Sequence, residues 1–190
     1  VWDGSAAIAA HPRGVLCRIE VRESDDILHL AVADHRSDLP GLFTAPIPMD
    51  KAVVCIGRDG RCLAVDSKSL RTVAEWQAAG PVQSVLAGPE QLWICVEGSA
   101  VQRVRFQDGR FVTEWVQQLS GPEWTLADAD GNRMLAIQSD GLIVPLDKWT
   151  GAVGTAIRAP APLAIAPLRV GSELALATVD GGLFFVPMPE

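Results

Sequence analysis

The sequence predicts an all-β fold: part of a β-propeller, with four to five blades of four-stranded antiparallel sheets. Three observations predict it. The chain repeats itself at intervals of 40, 41 and 40 residues, counted from Gly41, Pro81, Pro122 and Pro162. Three of these copies carry Asp-Gly at one offset, as Asp59-Gly60, Asp140-Gly141 and Asp180-Gly181, with Ser99-Ala100 in the remaining one. Short β-compatible runs flank each turn, and four short strands in about 40 residues make a propeller blade.

Each copy reads as strands a to d in chain order. In the blade 41–80 the runs are FTAPI, AVVCIG, RCLAVD and RTVAEW, and in 81–121 they are VQSVLA, QLWICVE, AVQRVRF and RFVTEW. In 122–161 they are WTLADA, NRMLAIQ, GLIVPLD and GAVGTAI. The stretch 162–190 offers LAIAPL, SELALAT and GLFFVPM and then no fourth run. The stretch 1–40 reads as a degenerate blade, with AAIA at Ala6 as strand a, VLCRIEV as b and DILHLAVAD as c, a widened turn RESD between the last two, and no visible strand d. Together these make one propeller domain or part of one. An unpaired sheet edge must be protected, and Val1-Trp2 is too short to supply a strand. The expected partner is therefore a protein chain or an upstream part of the same polypeptide, and the first residue, Val rather than Met, fits a numbering that begins inside a longer product.

Bulk composition excludes several classes. The apolar fraction of 48% and charged fraction of 21% are ordinary for a folded globular chain. A net charge of -7 disfavours nucleic acid, whose binding rests on clustered Lys and Arg. The longest local concentration of basic residues, RVRF at Arg103–Phe106, alternates with apolar residues and reads as the wet face of a strand. No run of 18 apolar residues is present, so no membrane span is expected, and the N-terminus lacks the form of a signal peptide.

The stretch DGLIVPLDKWTG, from Asp140 to Gly151, resembles the blades of WD-repeat proteins, and CLAVDSKSLRTVAEW, from Cys62 to Trp76, is similar to quinoprotein-like propeller repeats. The WD dipeptide itself occurs only as Trp2-Asp3, and the corresponding tripeptides end at Asp66 and Asp147. Such resemblance implies a platform for other proteins or a sensor module within a longer polypeptide. Quinoprotein dehydrogenases also need cofactor and metal ligands around the central channel. No residues here match those ligands, so no cofactor and no metal are expected.

Candidate chemistry is sparse. Cys55 and Cys95 share one offset in strand b, and Cys17 falls at the same place in the first copy. Cys62 stands across the hairpin from Cys55, so a redox pair is the alternative to buried thiols. Direct cross-strand disulfides are uncommon, which favours four reduced thiols and a cytoplasmic, reducing compartment. His11, His29 and His35 lack metal-ligand spacing and read as surface or satisfied side chains. No GxSxG or local triad pattern appears. Asp59, Asp140 and Asp180, with Arg58 and Glu97 beside the same turns, form the expected b–c rim; Asp-Gly also makes such turns without any ligand. Trp149 sits in the c–d turn DKWTG, either as a contact residue or packed over that turn. The expected function is a non-catalytic module for protein–protein interaction or sensing, the C-terminal part of a larger multidomain protein. The alternatives are a propeller enzyme of quinoprotein-like oxidoreductase or hydrolase type, and a structural subunit completed in trans.

Overall fold

A computed structural model describes residues 6–24, 27–49, 51–98 and 100–189. Trp2-Asp3, Ser99 and Asp25 of the widened turn lie outside the described residues. Among the described residues all regular structure is β. The strands are β1 (Ala6–His11), β2 (Val15–Ser24), β3 (Ile27–Arg36), β4 (Ile47–Met49), β5 (Ala52–Ile56), β6 (Arg61–Asp66) and β7 (Thr72–Gln77). They continue as β8 (Val82–Ala87), β9 (Gln91–Val96), β10 (Ala100–Gln107), β11 (Arg110–Gln118), β12 (Thr125–Asp128), β13 (Arg133–Ile137), β14 (Leu142–Asp147) and β15 (Ile157–Arg158). The last are β16 (Leu168–Val170), β17 (Glu173–Ala177) and β18 (Leu183–Pro187).

These strands form five sheets in chain order: β1–β3, β4–β7, β8–β11, β12–β15 and β16–β18, the three middle ones four-stranded. Neighbours within each sheet follow one another in sequence, as hairpins require. The chain divides into two compact units, Val1–Val82 with Ala87–Gln91 and Arg105–Val112, and Gln83–Leu86 with Leu92–Val104 and Thr113–Glu190. In the first unit Ile8, Leu16, Val53, Cys55, Leu63 and Leu70 form a core between the first two sheets. In the second, Trp93, Trp124, Met134 and Leu146 anchor one core, and Leu135, Ile143, Leu174 and Leu176 another.

The b–c turns explain the repeated Asp-Gly. Gly60 N–H donates to the Gly57 carbonyl at 3.1 Å and Gly57 N–H to the Arg61 carbonyl at 2.8 Å. This is a three-residue hairpin loop closed by a glycine bulge, and Gly60 has φ +89°. The same bonds recur around Gly141 and Gly181, with φ +96° and +87°. A two-residue Asp-Gly turn with both residues at positive φ occurs once among the described residues, at Asp108-Gly109, joining β10 to β11.

That bonding pattern corrects the strand order of the first copy. Gly14, φ +88°, donates to the His11 carbonyl, so Pro12-Arg13-Gly14 is the counterpart of Arg58-Asp59-Gly60. Leu42 N–H bonds the Pro12 carbonyl as Val82 bonds Arg58 and Leu163 bonds Ser139. β1, β2 and β3 are therefore strands b, c and d, where the sequence suggested a, b and c. Cys17 falls on strand c as the counterpart of Leu63, and is not equivalent to Cys55. Strand a also shifts in two copies. The segments Leu42–Pro46 and Leu163–Pro167 make only the single bridges Leu42↔Gly57 and Leu163↔Thr178, and regular pairing starts after Pro46 and Pro167, at β4 and β16. Proline has no N–H to give a ladder, and here it displaces the strand by several residues.

Candidate interaction surfaces

The predicted rim residues Arg58, Asp59, Glu97, Asp140 and Asp180 are all exposed at b–c loops. The three aspartates build those loops. Each Oδ1 accepts the backbone N–H two residues on: Asp59 from Arg61 at 3.1 Å, Asp140 from Leu142 at 3.1 Å and Asp180 from Gly182 at 3.4 Å. Asp140 also pairs with Arg158 at 2.9 Å, and that guanidinium, followed by the Leu142 N–H, holds its carboxyl below the usual range. The Thr178 hydroxyl does the same for Asp180. Arg58, by contrast, has no carboxylate partner among the described residues and stands over the Phe43 ring, 5.9 Å from its centroid.

The c–d turn holding Trp149 is an aspartate-organised loop. Asp147 Oδ1 accepts the N–H groups of Trp149 and Thr150 and the Thr150 hydroxyl, at 2.7 to 2.9 Å. Asp66 makes the same set with Lys68, Ser69 and the Ser69 hydroxyl. Gly151 closes one turn at φ +74° where Leu70 closes the other at φ +52°. Around the DKWTG loop the second unit is tightly latched. The Lys148 carbonyl accepts both the Trp93 and Trp115 indole N–H, at 3.1 and 3.2 Å, and the Lys148 ammonium pairs with Asp128. Trp115 packs on this loop as well: its ring lies so close to Gly151 that a Cβ there would meet it at 2.9 Å. Trp149 itself is half exposed, donates to Asn132 Oδ1 at 3.2 Å and carries Arg103 on one ring face.

Arg103 overturns the reading of RVRF as a wet strand face. It is 3% exposed and ion-paired with Glu114 at 2.9 Å. Strand β10 is buried on both faces from Ala100 to Val104, so the alternation of a half-solvated strand does not apply.

Two further surfaces went unnoticed in the sequence. In the first sheet, the pairs Ile19↔Val32 and Val21↔Leu30, with Leu28 opposite Glu23, share one face. The other face, with Ile8 and Leu16, is buried in the core. Leu28, Leu30 and Val32 are 69%, 74% and 60% exposed. The last sheet repeats this arrangement. Leu174 and Leu176 face the core, while Leu168, Leu183 and Phe185, joined through the pairs Leu168↔Ala175, Ala175↔Phe185 and Ala177↔Leu183, face outward and are exposed. Each terminal sheet thus buries one apolar face and leaves the other bare. Signal for this existed in the strings ILHLAV, apolar but for His29, and LFFV, apolar at every position, as in sheets covered on both sides.

The remaining candidates are dispersed. Cys55 pairs with Leu63 and Cys62 with Ile56, so the two thiols project to opposite faces of their sheet and cannot join. His11, His29 and His35 are exposed at the end of β1, within β3 and near the end of β3.

No family model matches the sequence, and no curated protein matches it significantly. Solved structures do. BamB from Moraxella catarrhalis superposes with a TM-score of 0.71 at 17% identity, over 97% of this chain and 59% of that one. The computationally designed Ika4 protein superposes with a TM-score of 0.59 at 15% identity, over 73% of this chain and 86% of that one. Together with the repeated antiparallel sheets, the likeness to BamB gives this chain a β-propeller fold, consistent with a partial propeller. The chain spans 59% of the length of that BamB.

Proposed function

We propose that this chain is a non-catalytic protein-interaction module, part of a larger multidomain protein, whose terminal sheets pack against further protein. The observation that carries the reading is the pair of bare apolar faces. A sheet face of Leu28, Leu30 and Val32 left in water forgoes its burial free energy and invites association. In a propeller each sheet packs between two neighbours, so such a face is shaped for another sheet, supplied by the same polypeptide or by a partner chain. The four free thiols fit a reducing, cytoplasmic setting.

Native mass spectrometry of the purified chain tests this, alone and as the double variant Leu30→Asp with Phe185→Asp. The expected result is self-association or a copurifying chain in the wild type and its loss in the variant. A wild type that remains a lone, cooperatively folding monomer, with the variant indistinguishable from it, would sink the reading.

A further inference from the structure

The two proline-interrupted inner segments share the pattern Leu-x-x-Ala-Pro, as Leu42–Pro46 and Leu163–Pro167. They share bonding too: Phe43 N–H to the Ile56 carbonyl and Ala164 N–H to the Ala177 carbonyl. Each borders a cavity together with the b–c loop of the preceding copy. In the second unit that loop is Ile137-Gln138-Ser139 and the cavity is about 170 Å3, closed on one side by Thr125 at the start of strand a. In the first unit the loop is Ala10-His11-Pro12 and the cavity is about 530 Å3.

The larger cavity is also chemically different. Arg58 lines it, with Phe43 beneath the guanidinium. His11 lines it as well, and its Nδ1 accepts the Arg13 N–H at 3.2 Å, which leaves Nε2 to carry the ring proton and act as a donor. The adjacent Asp59 is turned away to the Arg61 N–H. Neither Arg58 nor Phe43 is required by the backbone they stand on. The counterparts of Arg58 in the other glycine-bulge loops are Pro12, Ser139 and Val179, and the counterpart of Phe43 in the other kink is Ala164. A cation with no carboxylate partner among the described residues, set over an aromatic ring and lining a mostly apolar cavity, is placed to receive an anion.

We propose that this cavity binds an acidic segment of a partner protein, with a side-chain carboxylate on Arg58 and His11 and small apolar neighbours against Ile8, Leu42 and Ala45. The inference adds a second site to the interaction reading above. Arg58 engages the carboxylate with paired N–H donors, His11 Nε2–H supplies a third, and the kinked backbone leaves room for a chain to pass.

The test is a nitrogen-15 NMR titration of the chain with the acetylated, amidated pentapeptide Leu-Ala-Asp-Ala-Asp and with its Asn counterpart. The expected result is saturable movement of the Gly41, Thr44 and Arg58 amides by the acidic peptide. Affinity should fall about tenfold for the Asn peptide and about tenfold for Arg58→Ser, a residue the equivalent loop already carries. Absence of saturable movement overturns the proposal, as does equal affinity for the two peptides or for the variant. Sodium acetate moving the same amides at the same concentrations overturns the peptide assignment in favour of a small anion. Native mass spectra of Arg58→Ser separate the two readings, because self-association through the terminal faces persists there even if peptide binding is lost.

Discussion

Arg103 lies with its guanidinium 4.5 Å from the centre of the Trp149 ring and donates to the Trp149 carbonyl at 3.0 Å. One strand of the third sheet thereby grips the c–d turn of the fourth. The charge is buried, ion-paired with Glu114, and stacked, so its loss removes several interactions at once. Arg103→Ala is expected to cost about 3 kcal/mol, mainly by leaving Glu114 without its cation in a partly buried place. A double-mutant cycle with Trp149→Ala isolates the stacking, expected near 1 kcal/mol. Urea unfolding measures both, and additive effects would show that the ring contributes nothing to the grip.

The glycine bulges give a ranked series. At Gly14 a Cβ would come within 2.1 Å of the Leu39 carbonyl oxygen, at Gly60 within 2.4 Å of Gly80, and at Gly141 within 3.0 Å of Ala161. At Gly98 it would meet nothing, although φ is +86°. Gly98→Ala should therefore cost only the left-handed backbone penalty, about 1 kcal/mol. Gly141→Ala should cost more, and Gly60→Ala and Gly14→Ala most, since backbone atoms must move. Denaturation midpoints out of that order would refute close approach as the reason for glycine.

What the sequence made legible follows the same physics. Asp-Gly loops announce themselves because few residues tolerate positive φ and few side chains bond the N–H two residues on, so the sheets and their period could be read directly. The first copy was misphased because Arg13 stands where its counterparts have Asp, which hid the loop Pro12-Arg13-Gly14 and moved every strand label by one. Burial of Arg103 and exposure of Leu30 were equally hidden. Both depend on whether a sheet has a neighbour on each face, and strand composition alone does not carry that. The rim aspartates were legible as turn formers, while the cavity beside Arg58 arises from three separate chain segments, around Ala10, Thr44 and Arg58.

Acid should weaken the fold through its loop aspartates. Asp66 is held below the usual carboxylate range chiefly by the Ser69 N–H, and Asp147 chiefly by the Thr150 N–H. Their folded pKa values lie below the unfolded value of about 3.9, so the stability they contribute is complete above that pH and is lost as pH falls through the folded pKa. Unfolding free energy is expected to decline from about pH 5 downward. The double variant Asp66→Asn with Asp147→Asn should be less stable at pH 7 and show a shallower decline. An unchanged acid slope would mean that other carboxylates carry the effect.

The cysteines should separate by reactivity. Burial pushes the Cys55 and Cys95 thiols up to about 11 and the Cys62 thiol up to about 12, so at pH 8 each is almost wholly the unreactive neutral form. Cys17, on the outward face of β2, is partly exposed. Brief treatment of the native chain with iodoacetamide at pH 8 should alkylate Cys17 first, and the other three only after urea is added. Peptide mass spectrometry locates the label. Rapid native labelling of Cys55 or Cys62 would show that the second sheet opens far more readily than its packing implies. Protection of Cys17 would show that something already covers that outward face, as the interaction reading requires of an assembled chain.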